Sequence, residues 1–182
     1  KFVDSNKRQI KRLNSLVEQM LLLSRYDEGE AAATKEEVDL VAVTKAIVEE
    51  ILPDLNEKRL QVEFTGEAQT IVTTNKSAMT ELIRILLDNA MKYTVGKPVI
   101  TIEAKRTQLA IGNETEPMTK EQVSQIFDRF YRVDSSRNRT TGGSGLGLSI
   151  AQKIAETNDV QLTAELTSET QIRFVIEGEK NG

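Results

Sequence analysis

On the helix expected from Asn75 to Tyr93, Asp88, Asn89 and Lys92 interrupt an otherwise apolar pattern, and Asn89 and Lys92 are three apart. Residues three apart share one face of a helix, so an amide oxygen and an ammonium can reach one ligand there. The amide oxygen suits a hard cation and the ammonium is a point charge for phosphate, a pairing that fits a magnesium-bound nucleotide. A solvated polar face near a helix end is the plain alternative. Further along, Gly142-Gly143-Ser144-Gly145-Leu146-Gly147-Leu148-Ser149 sets four glycines within six positions, just ahead of the helical apolar pattern in 146–155. A glycine-rich loop opening a helix offers unpaired N–H groups and the positive end of the helix dipole, where phosphate is the usual guest. A flexible loop before a helix start is the competing reading. Arg129, Arg132, Arg137 and Arg139 lie in or beside the polar stretch 128–143 that leads into the glycines. Guanidinium forks match phosphate oxygens well.

Composition narrows the field. The chain has 182 residues, 38% hydrophobic and 29% charged, which suits one core of ordinary size or one domain with an appendage. A net charge of -4 gives no electrostatic case for a nucleic-acid partner. No apolar run is long enough to cross a bilayer, and no direct membrane contact is expected. Without cysteine there are no disulfides or thiolate sites, and without histidine there is no Ser-His chemistry and no imidazole ligand.

These residues need elements to position them. Residues 1–28 read as one long helix with the stripe Ile10, Leu13, Leu16, Val17, Met20, Leu21 and Leu23, the spacing of a bundle seam. A second copy or another helix is the expected partner, and packing on the chain's own domain is the alternative. Gly29 to Thr34 marks a boundary, dividing the chain into 1–30 and 31–182. A strand is expected at 38–40, a helix at 41–58, and strands at 60–64 and 70–73. Asn75 or Ser77 caps the next helix, which buries Met79, Leu82, Ile83, Leu86, Leu87, Ala90 and Met91. Alternating runs at 99–104 and 108–111 form a hairpin around Lys105-Arg106-Thr107. A helix at 120–127, the polar stretch, the helix entered by the glycines, and strands at 161–166 and 171–176 complete the chain. The fold class is α+β, a two-layer α/β sandwich with a mostly antiparallel sheet, preceded by the long N-terminal helix.

Three motifs carry a resemblance. Glu81 to Thr94, with Asp88-Asn89-Ala90-Met91-Lys92-Tyr93 at its end, resembles the asparagine box of sensor histidine kinases. Ile126 to Arg132 is similar to their phenylalanine box, and Gly143 to Leu148 to their second glycine box. The order and spacing are the family's, and residues 1–28 resemble the second helix of its dimerisation and phosphotransfer domain, closing on Leu23-Ser24-Arg25-Tyr26-Asp27.

The resemblance implies a Bergerat-type ATP-binding fold shared with gyrase and Hsp90-like ATPases. It implies ATP and Mg²⁺ as cofactors, Asn89 on the metal, and Lys92 and Tyr93 near the phosphates. Residues 128–144 would form a lid with Arg132 reaching the terminal phosphate, and Phe127 and Phe130 would anchor that lid. The backbone of Gly143, Gly145, Leu146 and Gly147, with Leu148 closing the box, would hold the phosphates. The function implied is transfer of the γ-phosphoryl group to a histidine outside this chain, then to a response regulator. A homodimer through the N-terminal helix and a cytoplasmic location in a membrane-anchored parent are also implied.

The chain departs from the pattern. The adenine-binding Asp-x-Gly-x-Gly becomes Asn113-Glu114-Thr115-Glu116-Pro117, which replaces a carboxylate acceptor by an amide and two glycines by bulkier residues. Weaker ATP binding is the expectation. Ile85 stands where the related ATPases carry a Glu that activates water, so hydrolysis should be slow. Ser168-Glu169-Thr170 replaces a Gly-x-Gly-Thr; Thr170 either lines the adenine pocket or sits in a plain hairpin turn. The alternative function is a regulatory module with a degenerate pocket and phosphatase bias; a gyrase-like ATPase lacks its base here.

Overall fold

A computed structural model describes residues 2–27, 34–133 and 144–179. The boundary segment 29–33, the loop arginines Arg137 and Arg139, and the glycines Gly142 and Gly143 lie outside the described residues.

In chain order the elements are α1 (Phe2–Asp27), β1 (Glu36–Asp39), α2 (Leu40–Glu50), α3 (Leu52–Glu57), β2 (Gln61–Gly66), β3 (Ile71–Thr74) and α4 (Lys76–Tyr93). Then come β4 (Val99–Ala104), β5 (Gln108–Glu114), α5 (Lys120–Ser124), α6 (Gly147–Thr157), β6 (Val160–Ser168) and β7 (Gln171–Gly178). Five strands form one sheet in the order β2-β4-β5-β7-β6, in which β2 and β4 are parallel and the other neighbours antiparallel. β1 and β3 pair separately as a small antiparallel sheet. The expected sandwich is therefore present, with its mostly antiparallel sheet.

Strand alternation sets the core. Ile102, Ile111, Phe174 and Ala164 stand opposite one another across β4, β5, β7 and β6. Ile102, Ile111 and Phe174 are fully buried beneath Leu82, Ile83, Leu86 and Leu87 of α4 and Ile150, Ala151 and Ile154 of α6. At the next inward level Asn113 stands between Ile100 and Ile172, a polar side chain in an apolar layer. The outer face is polar: Arg173 of β7 bonds Glu165 of β6 at 2.8 Å and Glu103 of β4 at 3.2 Å, a network that spans four strands.

Two expected helices are shorter than periodicity implied. The run 41–58 breaks into α2 and α3 because Pro53 lacks the N–H a continuing helix needs, and Ile51 caps the first half. α5 opens with a capping box between Thr119 and Gln122 and stops at Ser124, where Gln125 and Ile126 bond back three residues in tighter turns. β5 in turn runs three residues past the expected Ile111, which brings Asn113 into the sheet. Asn75, not Ser77, caps α4, its side chain accepting from Ala78 N–H at 2.8 Å.

α1 partly takes the alternative course. Its C-terminal part lies along α6, with Leu23 buried and Leu22 and Tyr26 against the core. The stripe positions Ile10, Leu13, Val17, Met20 and Leu21 are each more than half exposed. One face of the helix is thus used within the chain and another is left open. Burial, and then the Glu81 carboxylate, raise the Tyr26 hydroxyl above its ordinary pKa. On the far side, Arg84 of α4 grips Glu50 of α2 through two bonds of 2.7 and 2.9 Å, which holds the Glu50 carboxyl below its ordinary pKa.

Candidate functional site

A cavity of about 470 Å³ opens between α4, the end of β5, the 115–118 segment and the start of α6. α4 contributes Ile85, Asp88, Asn89, Lys92 and Tyr93, one helical face turned to the cavity while the opposite face carries the core leucines. Lys92 is paired with Asp88 one turn earlier. β5 and the residues after it contribute Asn113, Thr115, Glu116 and Pro117. Arg132, Gly145, Gly147 and Leu148 complete the list of expected residues that meet here.

Asn113 is the most constrained of them. It is 6% exposed, and its Nδ2 donates to the Glu114 carbonyl at 3.1 Å. Its Oδ1 is buried with no hydrogen-bond partner among the described residues. A buried acceptor left unpaired costs about 1–3 kcal/mol, which a donor on a ligand would recover. Here the chain's departure from a carboxylate keeps an acceptor at the cavity wall.

The two ends of the 131–144 stretch meet. Phe130 N–H donates to the Gly145 carbonyl at 2.9 Å, and both residues have positive φ, +64° and +77°. The Phe130 ring is 60% exposed, so it anchors through its backbone and not through its ring as expected. Phe127 does pack inward, edge to face with Phe174 at 6.2 Å between centroids.

Two expected residues sit outside the cavity wall. Leu146 sends its side chain into the core, and its N–H donates to Ser144 Oγ at 3.2 Å. Thr170 occupies the turn between β6 and β7, and its carbonyl accepts from Thr115 N–H at 2.7 Å, so it braces the segment after Asn113. Gly143 lies outside the described residues. Other wall residues were not anticipated. Gln19 of α1 reaches the cavity and accepts from Ser144 Oγ at 2.5 Å. Val95, Tyr131, Ile172 and Phe174 also line it. Gln19 is one polar residue among several in the helix, and only the docking of α1 singles it out.

The cavity lies at one end of a mixed sheet, between a helix bearing Asn and Lys and a glycine-opened helix, which is the architecture of a nucleotide-binding α/β sandwich. The family of histidine kinase-, DNA gyrase B- and HSP90-like ATPases matches residues 74–180. The chain belongs to that family, in its sensor histidine kinase branch. It is 32% identical over 156 residues to sensor histidine kinase YkoH of Bacillus subtilis, covering 84% of this chain and 34% of that protein. Signal transduction histidine-protein kinase BaeS of Escherichia coli is 30% identical, over 89% of this chain and 36% of its own length. The chain thus spans about a third of these curated relatives. Among solved structures, Acinetobacter baumannii histidine kinase AdeS has the same fold with a TM-score of 0.78 at 20% identity, covering 99% of this chain and 84% of that one. Full-length ShkA in complex with AMPPNP has a TM-score of 0.78 at 17% identity, covering 97% of this chain and 38% of its own. Among the described residues no helix is long and apolar enough to cross a membrane.

Proposed function

We propose that this chain is the nucleotide-binding, catalytic part of a sensor histidine kinase, with Mg-ATP as the ligand of the cavity. The observation that carries this is the buried Asn113 Oδ1, without a partner among the described residues, in a cavity that also holds Asn89 and Lys92. When bound, ATP with Mg²⁺ supplies the γ-phosphoryl group for transfer to a histidine, and since this sequence contains none, the acceptor lies outside it.

In this reading Asn113 accepts from the adenine amino group. Asn89 would hold the metal through its amide oxygen, with Lys92, exchanging Asp88 for phosphate, and Tyr93 on the same helix. Arg132 would offer a guanidinium to the terminal phosphate, and the N–H groups at Gly143, Gly145 and Gly147 would cradle the others beside Leu148, with the Leu146 N–H joining them if it exchanges Ser144 Oγ for phosphate. The chain's contribution to catalysis is then positioning and charge neutralisation. Ile85, on the cavity wall, offers no base to activate water, which favours phosphoryl transfer over hydrolysis.

Residues 1–30 are read as the second helix of a dimerisation and histidine-phosphotransfer domain, and 31–182 as the ATP-binding domain. The open apolar stripe of α1 supports a homodimer in the whole protein. A response regulator is the proposed downstream partner, and the cytoplasmic side of a membrane-anchored parent the proposed location. A second reading, a regulatory module with weak ATP binding, is favoured by Thr115 and Pro117 on the cavity wall where the family pattern has glycine.

Calorimetry with Mg-ATP tests the proposal, with Asn89→Ala beside the native chain. Binding that needs Mg²⁺ and is lost in Asn89→Ala is the expected result. A folded native chain that binds no nucleotide would overturn it, and weak binding would favour the second reading.

A further inference from the structure

The turn that joins α4 to β4 is held by one residue of β5. The Glu114 carbonyl accepts from Val95 N–H at 2.9 Å and from Asn113 Nδ2 at 3.1 Å. The Glu114 carboxylate reaches over the same turn and accepts from Lys97 N–H at 2.9 Å. Between these bonds Gly96 has φ +66°, and a Cβ there would lie 2.7 Å from Glu114 Cδ and Oε1. An L side chain there would be strained at that angle and would push the Glu114 carboxylate aside, so glycine lets the carboxylate close over the turn.

This clip bears on the amide of Asn113. A carboxylate at that position would present an acceptor whichever way it turned, but an amide has a donor end and an acceptor end. The donor end is engaged by the Glu114 carbonyl, and the acceptor end is buried without a partner among the described residues. Reversing the amide would set Oδ1 against the Glu114 carbonyl, oxygen to oxygen. The carbonyl is itself pinned by Val95, whose turn the Glu114 carboxylate clamps at Lys97.

We infer that Glu114, clipped over the Gly96 turn, is a positioning residue that sets the base selectivity of the cavity by holding the Asn113 amide with its oxygen inward. The inference rests on reading the cavity as a nucleotide site. Held this way, Asn113 accepts from a 6-amino purine and meets the carbonyl of a 6-oxo purine acceptor to acceptor. With the clip removed, the turn and the Glu114 carbonyl lose their alignment, and the amide can reverse to give a 6-oxo purine a donor.

The test is calorimetric binding of Mg-ATP and Mg-ITP to the native chain and to Glu114→Ala, Glu114→Asp and Glu114→Gln. The native chain should prefer ATP by about tenfold or more, the scale of leaving one buried polar group unpaired. Glu114→Ala should cut that preference to about threefold or less, and Glu114→Gln, whose side-chain oxygen still accepts from Lys97 N–H, should keep it. Glu114→Asp, one carbon shorter, should shift the ratio the same way and serves if the alanine variant does not fold. A clip with only a structural role would weaken both nucleotides together, and an unchanged ratio in both shortened variants overturns the inference. So does a native chain that binds ATP and ITP equally. A native chain that binds neither overturns the nucleotide reading as well, which separates the two failures.

Discussion

Phe130 and Gly145, fifteen residues apart, join the phenylalanine-rich turn to the glycine-opened helix by one backbone bond of 2.9 Å between two residues in the left-handed region. The loop between them therefore leaves and rejoins the body at a single point beside Arg132 and Gly147 on the cavity wall. A Cβ on Gly145 would lie 2.8 Å from the Phe130 carbonyl carbon.

Gly145→Ala should accordingly be costly out of proportion to its size. The positive φ alone carries about 1–2 kcal/mol for an L residue, and the clash adds to it. Nucleotide affinity should fall by about tenfold or more, while the melting temperature moves by only a few degrees, because the core beneath is untouched. Calorimetry beside a thermal melt checks both halves.

Asn113→Asp should trade stability for affinity. A carboxylate there loses the bond to the Glu114 carbonyl and buries a charge, at a cost of about 1–3 kcal/mol without ligand. With Mg-ATP the charged acceptor makes the stronger bond to the base amino group, so affinity should rise several-fold. A thermal shift larger than that of the native chain on adding ATP is the expected reading, and equal shifts would contradict it.

Leu86 is fully buried on α4, wholly within the core. Leu86→Ala should cost about 2–5 kcal/mol in denaturant unfolding, the usual toll of a buried leucine whose site cannot collapse. A loss below 1 kcal/mol would mean that α4 is packed more loosely than its burial implies.

Docking of α1 should depend on pH at the alkaline end. Tyr26 has its pKa raised above the ordinary 10.0 by burial and then by Glu81. A group with a raised folded-state pKa contributes its stabilisation fully below the unfolded value and loses it as pH rises through the folded one. The helix should therefore loosen above pH 10.0 as the phenolate forms, and Tyr26→Phe should remove that dependence. Hydrogen exchange of the α1 amides, corrected for the intrinsic pH effect, is the measurement.

Much of this was legible in residue order. The 3.6-residue spacing of Leu82, Ile83, Leu86 and Leu87 specifies the buried face of α4, and the same geometry places Asn89 and Lys92 together on the other side. Local periodicity and local chemistry suffice for such pairs because they lie within one element. Breaks were harder to read: Pro53 divides a helix that periodicity alone runs through, and β5 continues three residues past its last aliphatic, because pairing with β4 and β7 outweighs composition there.

What the sequence by itself determined was the set of elements and the motifs at their ends, since these depend on spacing and residue type. Only the tertiary structure decided which ends meet. It put Gln19 of α1 on the cavity wall, left Leu146 and Thr170 off it, and turned the Phe130 ring outward while its backbone held Gly145. It also oriented the Asn113 amide, through a carbonyl next to it in sequence and a turn eighteen residues earlier. Those outcomes depend on contacts between distant segments, and a linear pattern carries no record of the distance between two segments until the core has brought them together.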